Sequence, residues 1–265
     1  MKYTLDALSI ITAIAIITLL TSTSAAAGEL SLYGKTGYFS LTETIDGHRY
    51  VRESGFIYGI GATYSMGFAK YFTAKGTVEG FYGKPDYQGI KIPELTEIKS
   101  DTTYLGTKEE VALAARTAFG RFVVGPTLGF GHKWFDRSRS DELWSYFYVK
   151  GGAVAECNFE SFKVITEAGV MNQLDTTINV DWSGLGYGKF TSKPKGKINP
   201  YAEIRVVGKK WFAALFFEQA NWGKSDGTSI QKQSTTVNGV VLINGLVSQP
   251  DTKSSIIGLS AGYNF

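Results

Sequence analysis

Histidine is the side chain best suited to moving a proton near neutral pH, and this sequence contains two, His48 and His132. His48 closes an Asp46-Gly47-His48 triplet, which sets a carboxylate two residues ahead of an imidazole. His132 is followed by hydroxyls at Ser138 and Ser140 and by carboxylates at Asp136, Asp141 and Glu142. Serine, histidine and an acid are the parts of a nucleophilic hydrolase, in which the imidazole takes the serine proton and the acid holds the imidazole. Such triads are defined by geometry rather than by closeness along the chain. No HExxH segment occurs, the one cysteine, Cys157, has no intrachain partner, and Gly184-x-Gly186-x-Gly188 is followed by no helix to receive a phosphate. No metal or other cofactor is expected.

Composition narrows the elements that must hold any such constellation. Of 265 residues, 31 are glycine and 6 proline, and aromatics make up 14%; glycine averages only about 7% in ordinary proteins. A 43% hydrophobic share with a mean hydropathy of -0.05 is too apolar for a disordered chain. The net charge of +3 comes with no basic block, which excludes nucleic acid as an expected partner. A helical membrane protein would need several apolar runs of about 20 residues. Residues 1–27 read as a cleaved export signal: Lys2, an apolar run from Ala7 to Leu20, and the small-residue site Ala25-Ala26-Ala27. The domain proper is then 28–265.

From Gly28 onward the hydrophobic period is two, the signature of strands. Ten segments carry it, at 29–41, 54–66, 69–82, 102–118, 120–136, 142–157, 160–173, 197–208, 210–223 and 252–265. Tight connections near 66–69, 118–121, 157–161 and 207–210 alternate with longer ones at 42–53, 83–101, 137–141, 174–196 and 224–251. In the last segment Ile257, Leu259, Ala261, Tyr263 and Phe265 share one face, with Ile256, Gly258, Ser260, Gly262 and Asn264 on the other. An apolar face opposed to a small or polar one, over strands longer than the roughly 9–11 residues that cross a bilayer, predicts an all-β fold. Its form is a closed antiparallel transmembrane β-barrel of about ten strands, eight and twelve being the neighbouring even counts. Trp134, Trp144, Tyr146 and Trp222 at the long-loop ends are expected to form one aromatic belt. Phe68, Tyr71, Phe72, Phe159, Phe162, Trp211 and Phe212 near the tight turns are expected to form the other.

Strand parity directs Lys35, Lys75, Arg116, Arg121, Lys150, Lys163 and Arg205 into the lumen, together with Glu79, Glu110, Glu156, Glu167, Glu203 and Glu218. Ten strands enclose a backbone diameter of roughly 20 Å, and unpaired charges inside it are costly. The expectation is a network of ion pairs that closes the barrel. The alternative is a narrow small-solute channel lined by the same charges.

The export signal and the terminal segment Ile257-Gly258-Leu259-Ser260-Ala261-Gly262-Tyr263-Asn264-Phe265 make the chain resemble the bacterial outer-membrane β-barrel proteins. The resemblance implies location in the outer membrane of a Gram-negative bacterium. It also implies insertion by the barrel-assembly machinery, with Tyr263 and Phe265 as the insertion signal, and lipid partners that include lipopolysaccharide. Lys133, Arg137 and Arg139, near the outer rim, are candidate contacts for lipopolysaccharide phosphates. Ten-stranded omptin proteases pair aspartates with an Asp-x-His; here Asp46-Gly47-His48 lies in the first long loop and no Asp-x-Asp accompanies it. Barrel phospholipases and lipid A deacylases need a histidine and a serine on the lipid face, and His132 has outward parity near the outer rim. The leading expectation is a non-enzymatic barrel, structural or surface-binding through its loops, followed by the channel and then by a lipid-active enzyme. The loop ligand is left open, and the 224–251 connection is expected to raise a hairpin around its Asn-Gly pairs.

Overall fold

The computed structural model describes residues 28–91, 96–236 and 239–265, so the expected export signal lies outside the described residues. Ten long antiparallel strands form the wall. They are β1 (Gly28–Ile45), β2 (His48–Ala69), β3 (Phe72–Gly83), β4 (Tyr104–Ala115), β5 (Phe122–Arg137), β6 (Glu142–Asn158), β7 (Lys163–Trp182), β8 (Ile198–Val207), β9 (Trp211–Gly223) and β10 (Asp251–Asn264). Each pairs with its neighbour in sequence, and β10 returns to pair with β1, with Ser31 opposite Asn264. The barrel is closed, so every strand hydrogen-bonds on both sides and no edge meets lipid.

The pleat sorts side chains as the sequence period requires. Ile60, Leu128, Ile257 and Leu259 are all more than half exposed on the outer wall. Phe68, Tyr71, Phe72, Phe159, Phe162 and Trp211 ring the tight-turn rim, as expected. The other belt needs correction. Trp144, Tyr146, Trp222 and, at the opposite end, Phe212 point inward and are buried. Their parity, not their height along the strand, decides which side they occupy. Phe39, Tyr104, Phe135, Trp144, Trp222 and Tyr146 follow one another at ring separations of 5.0 to 5.6 Å, crossing the lumen as an aromatic plate.

Much of what reads as long loop is strand that continues past the membrane. The 42–53 connection is a two-residue hairpin in which Asp46 and Gly47 both take positive φ, the geometry Asp-Gly supplies. The Asp46-Gly47-His48 triplet is therefore turn chemistry, and His48 stands exposed at its tip. Asp86–Lys91 and Thr96–Asp101 form a hairpin laid against β2, and Gly188–Ser192 folds back on β7. The expected hairpin in 224–251 is present: Thr228–Thr236 pairs with Gly239–Val247 as a sheet of its own. The side chains of the apolar run Val240 to Ile243 lie outside the described residues.

Above the plate, Arg137 knits the loop-side mouth together. Its guanidinium donates to Glu43 at 2.7 Å, to Glu53 at 2.7 Å and to Glu142 at 3.0 Å, and all four residues are buried. Gln249 donates to Glu43, Trp144 to Glu142 and Tyr104 to Glu53. The group ties β1, β2, β5 and β6. Replacing Arg137 with methionine strands three carboxylates around an apolar side chain, and breaking a buried pair costs about 3–5 kcal/mol. The urea midpoint for folding into detergent micelles, read by heat-modifiable gel migration, is expected to fall accordingly. Lys84→Met, which removes the exposed Lys84–Asp101 pair, is expected to leave the midpoint unchanged.

Candidate functional site

Below the plate, most of the charges assigned to the lumen meet partners there. Lys35 pairs with Glu79, Lys75 with Glu167 at 3.6 Å, and Arg116 with Glu156 at 3.5 Å. Lys150 bridges Glu110 at 2.7 Å and Glu167 at 3.3 Å, and Arg205 holds Glu203 at 2.9 Å on its own strand. Glu218 takes Lys108 at 2.5 Å and Lys133 at 3.6 Å. Sequence reasoning missed Lys108, although it shares the parity of Glu110 two residues on.

Four assignments are corrected. Arg121 is exposed in the tight turn beside Gly120, 5.2 Å from the Phe122 ring and 5.7 Å from that of Phe159, because parity has no meaning beyond the end of a strand. Lys163, the first residue of β7 at the mouth, makes no ion pair among the described residues. Lys133 and Arg137 are not available to lipopolysaccharide, since their odd positions on β5 turn both into the lumen. Of that trio only Arg139 is exposed, 5.6 Å from the ring of Tyr87. Tyr263 and Phe265 stand on the outer wall at the tight-turn rim, their rings 4.9 Å apart.

The outer wall carries a constellation that the sequence pattern places in the wrong hairpin. Glu109 on β4 is the ladder partner of His132 on β5, and Ser145 on β6 lies diagonally across from His132, opposite Trp134. Diagonal neighbours on one face of a sheet are within side-chain reach. The Ser145 hydroxyl is 2.9 Å from His132 Nε2, and His132 Nδ1 is 3.4 Å from Glu109 Oε2. Thr107, two residues along β4, donates to Glu109 Oε1 at 2.6 Å and holds the carboxylate in place. With Glu109 as acceptor, the ring proton belongs on Nδ1, which leaves Nε2 free to take the serine proton. Serine, imidazole and carboxylate on three adjacent strands stand in the order that a nucleophile, its base and an orienting acid take in a hydrolase.

Apolar groups surround this line. Val111 flanks Glu109 on one side and Thr107 on the other with Leu105 beyond it, Phe130 and Trp134 flank His132, and Leu143 and Phe147 flank Ser145, all with outward parity. The Phe147 ring lies 4.7 Å from the imidazole and 5.7 Å from that of Phe130. Of the hydroxyls singled out from the sequence, Ser138 Oγ accepts the Thr103 N–H at 2.8 Å, and Ser140 Oγ is buried without a hydrogen-bond partner among the described residues and does not reach His132. Glu109 and Ser145 had a signal in the sequence, polar residues at lipid-facing parity, but their pairing depends on a strand register that the sequence leaves open.

No model of a protein family and no curated protein matches the chain. Among solved structures it is similar to the outer membrane protease OmpT from Escherichia coli, over 92% of this chain and 100% of that one, with a TM-score of 0.61 at 10% identity. An outer membrane channel from Pseudomonas putida F1 aligns over 92% of this chain and 97% of that one, with a TM-score of 0.46 at 8% identity. The outer membrane protein OprG from Pseudomonas aeruginosa aligns over 91% and 97%, with a TM-score of 0.35 at 15% identity. At such identities the likeness bears on architecture, and the chain has the closed ten-stranded fold of the bacterial outer-membrane β-barrels.

Proposed function

We propose that this protein is an outer-membrane barrel that hydrolyses acyl esters of membrane lipids at its lipid-facing wall. Ser145 is the nucleophile, His132 the general base and Glu109 the acid that orients it. The observation that carries this reading is the hydrogen-bonded series Ser145–His132–Glu109 on three neighbouring strands of the outer face. Ionisable side chains are expensive where lipid replaces water, and those that occur there mark function by default. A stitch between strands would not repay that expense, because the backbone ladder already joins β4, β5 and β6.

The height of the site suits an ester. From Phe122 at the tight-turn rim to His132 the wall rises about 25 Å, taking about 3.3 Å per residue and a tilt near 40°. The apolar band of such barrels is itself about 25 Å tall. The series therefore lies at the loop-side edge of the hydrocarbon, where acyl chains join their headgroups and water is at hand. Attack of Ser145 Oγ on the acyl carbonyl passes its proton to His132 Nε2, and the imidazolium then gives that proton to the departing alkoxide. Water, deprotonated by the same imidazole, releases the fatty acid and restores the serine. Glu109 keeps the imidazole in the required tautomer and stabilises its charged form.

This reading takes the place of the non-enzymatic, loop-binding expectation. The aromatic plate and the paired lumen speak against the channel alternative. Purified protein in planar bilayers is expected to show no steady openings. The enzymatic test is turnover of p-nitrophenyl octanoate in detergent micelles by folded protein. Ser145→Ala and His132→Ala are expected to lower kcat about 10³-fold or more, whereas Ser138→Ala and Ser140→Ala leave it intact. Equal turnover by wild type and Ser145→Ala would remove the reading.

A further inference from the structure

A serine hydrolase also needs a donor for the oxyanion that forms when the carbonyl is attacked, and the outer wall offers one beside Ser145. On the side of β6 away from His132 lies β7. Phe147 pairs with Leu174, but Ser145 pairs with Thr177, so β7 carries one residue more than β6 over this interval. The extra residue is accommodated at Asp175, whose φ of 43° is left-handed. Bulges of this kind turn side chains to a new face and often sit next to active sites.

The consequence for β7 is a change of phase. Below the bulge the outward residues are even-numbered, among them Val170 and Leu174; above it Thr177 and Asn179 face out, while Met171, Gln173, Thr176 and Ile178 are buried inward. The hydroxyl of Thr176 is used inside the barrel, where it accepts Trp222 Nε1 at 3.2 Å. Without the extra residue, the position facing Ser145 would belong to Thr176. With it, Thr177 stands on the outer wall directly across the ladder from the nucleophile, and its hydroxyl has no partner among the described residues. Cross-strand partners on one face have Cβ atoms about 4.5–5.5 Å apart, a gap that a carbonyl oxygen held between two side-chain oxygens can occupy.

We propose that Thr177 is a further catalytic residue, whose hydroxyl donates a hydrogen bond to the oxyanion formed by attack of Ser145. The inference rests on the hydrolase reading above. His132 and Glu109 lie on one flank of Ser145 and Thr177 on the other, so the proton and the developing negative charge are handled on opposite sides of the nucleophile. An ester entering between them places its carbonyl oxygen over β7 and its leaving oxygen toward β5, within reach of the imidazolium.

The test is steady-state kinetics on p-nitrophenyl octanoate in detergent micelles with full-length wild type, Thr177→Val, Thr177→Ser and Ser145→Ala, each first shown folded by heat-modifiable migration. Thr177→Val keeps the shape and removes the donor. It is expected to lower kcat about 10²–10³-fold, the usual loss for one oxyanion donor, with KM little changed, and Thr177→Ser is expected to recover most of the rate. An active wild type matched within about twofold by Thr177→Val overturns the role of Thr177 and leaves the hydrolase reading standing. A folded wild type that neither turns over the ester nor takes a fluorophosphonate label at Ser145 overturns both. If Thr177→Val fails to fold, Thr177→Ala and Thr177→Cys replace it under the same criteria.

Discussion

The molecule depends on one constraint, that a closed hydrogen-bond ladder leaves each strand residue a choice of two sides and forces its neighbours to take the other. Lys108, Glu109 and Glu110 feel it directly. The outer two turn inward, Lys108 to Glu218 and Glu110 to Lys150, while Glu109 is delivered alone to the lipid side. The next strand repeats the division around His132, with Gly131 and Lys133 inside, and the one after it around Ser145, with Trp144 and Tyr146 inside. Three polar residues meet on the outer wall because the ladder holds three strands in register, and no loop is needed to bring them together.

The same constraint makes the lumen a rigid backing for that wall. A lysine or glutamate turned inward loses much of its water and is held by an opposite charge, and the shared partners of Lys150 and Glu218 link several strands at once. Exposed pairs such as Lys195–Asp226 contribute little by comparison, being largely solvated. A site built on strands, with Glu109 fixed by Thr107, keeps its geometry better than one carried on a loop.

The period of two makes most of this architecture legible in the sequence. All ten strands and the apolar faces of β2, β5 and β10 lie where that period puts them, and most lumenal charges obey the same alternation. Elsewhere a local pattern is not enough. Distance from a loop misplaces Trp144 and Trp222, because a tryptophan near the end of a strand lines the membrane interface only if its parity is outward. Lys133 and Arg137 resemble a cationic hairpin because they lead into a turn region in the sequence; β5 runs straight through to Arg137, so both keep inward parity. The site itself is half legible. Outward parity marks His132, but which serine and which acid stand beside it depends on the offset between β4, β5 and β6, a long-range quantity that no stretch of sequence contains.

The bulge in β7 shows how one strand serves both faces at the level of the site. On the tight-turn side of Asp175 the outer residues of β7 include Val170 and Leu174, suited to acyl chains, and on the loop side Thr177 and Asn179 take their place, Asn179 bonded to Thr191 of the returning strand. A strand without the extra residue would keep its even-numbered side chains outside, so Thr176 would be drawn out of the lumen and Thr177 and Ile178 would exchange sides. One inserted residue therefore keeps Ile178 and the Thr176–Trp222 contact inside the barrel while Thr177 takes the outward place opposite Ser145. A threonine hydroxyl thus faces Ser145 on the outer wall while the lumen keeps the packing of Ile178 and Thr176.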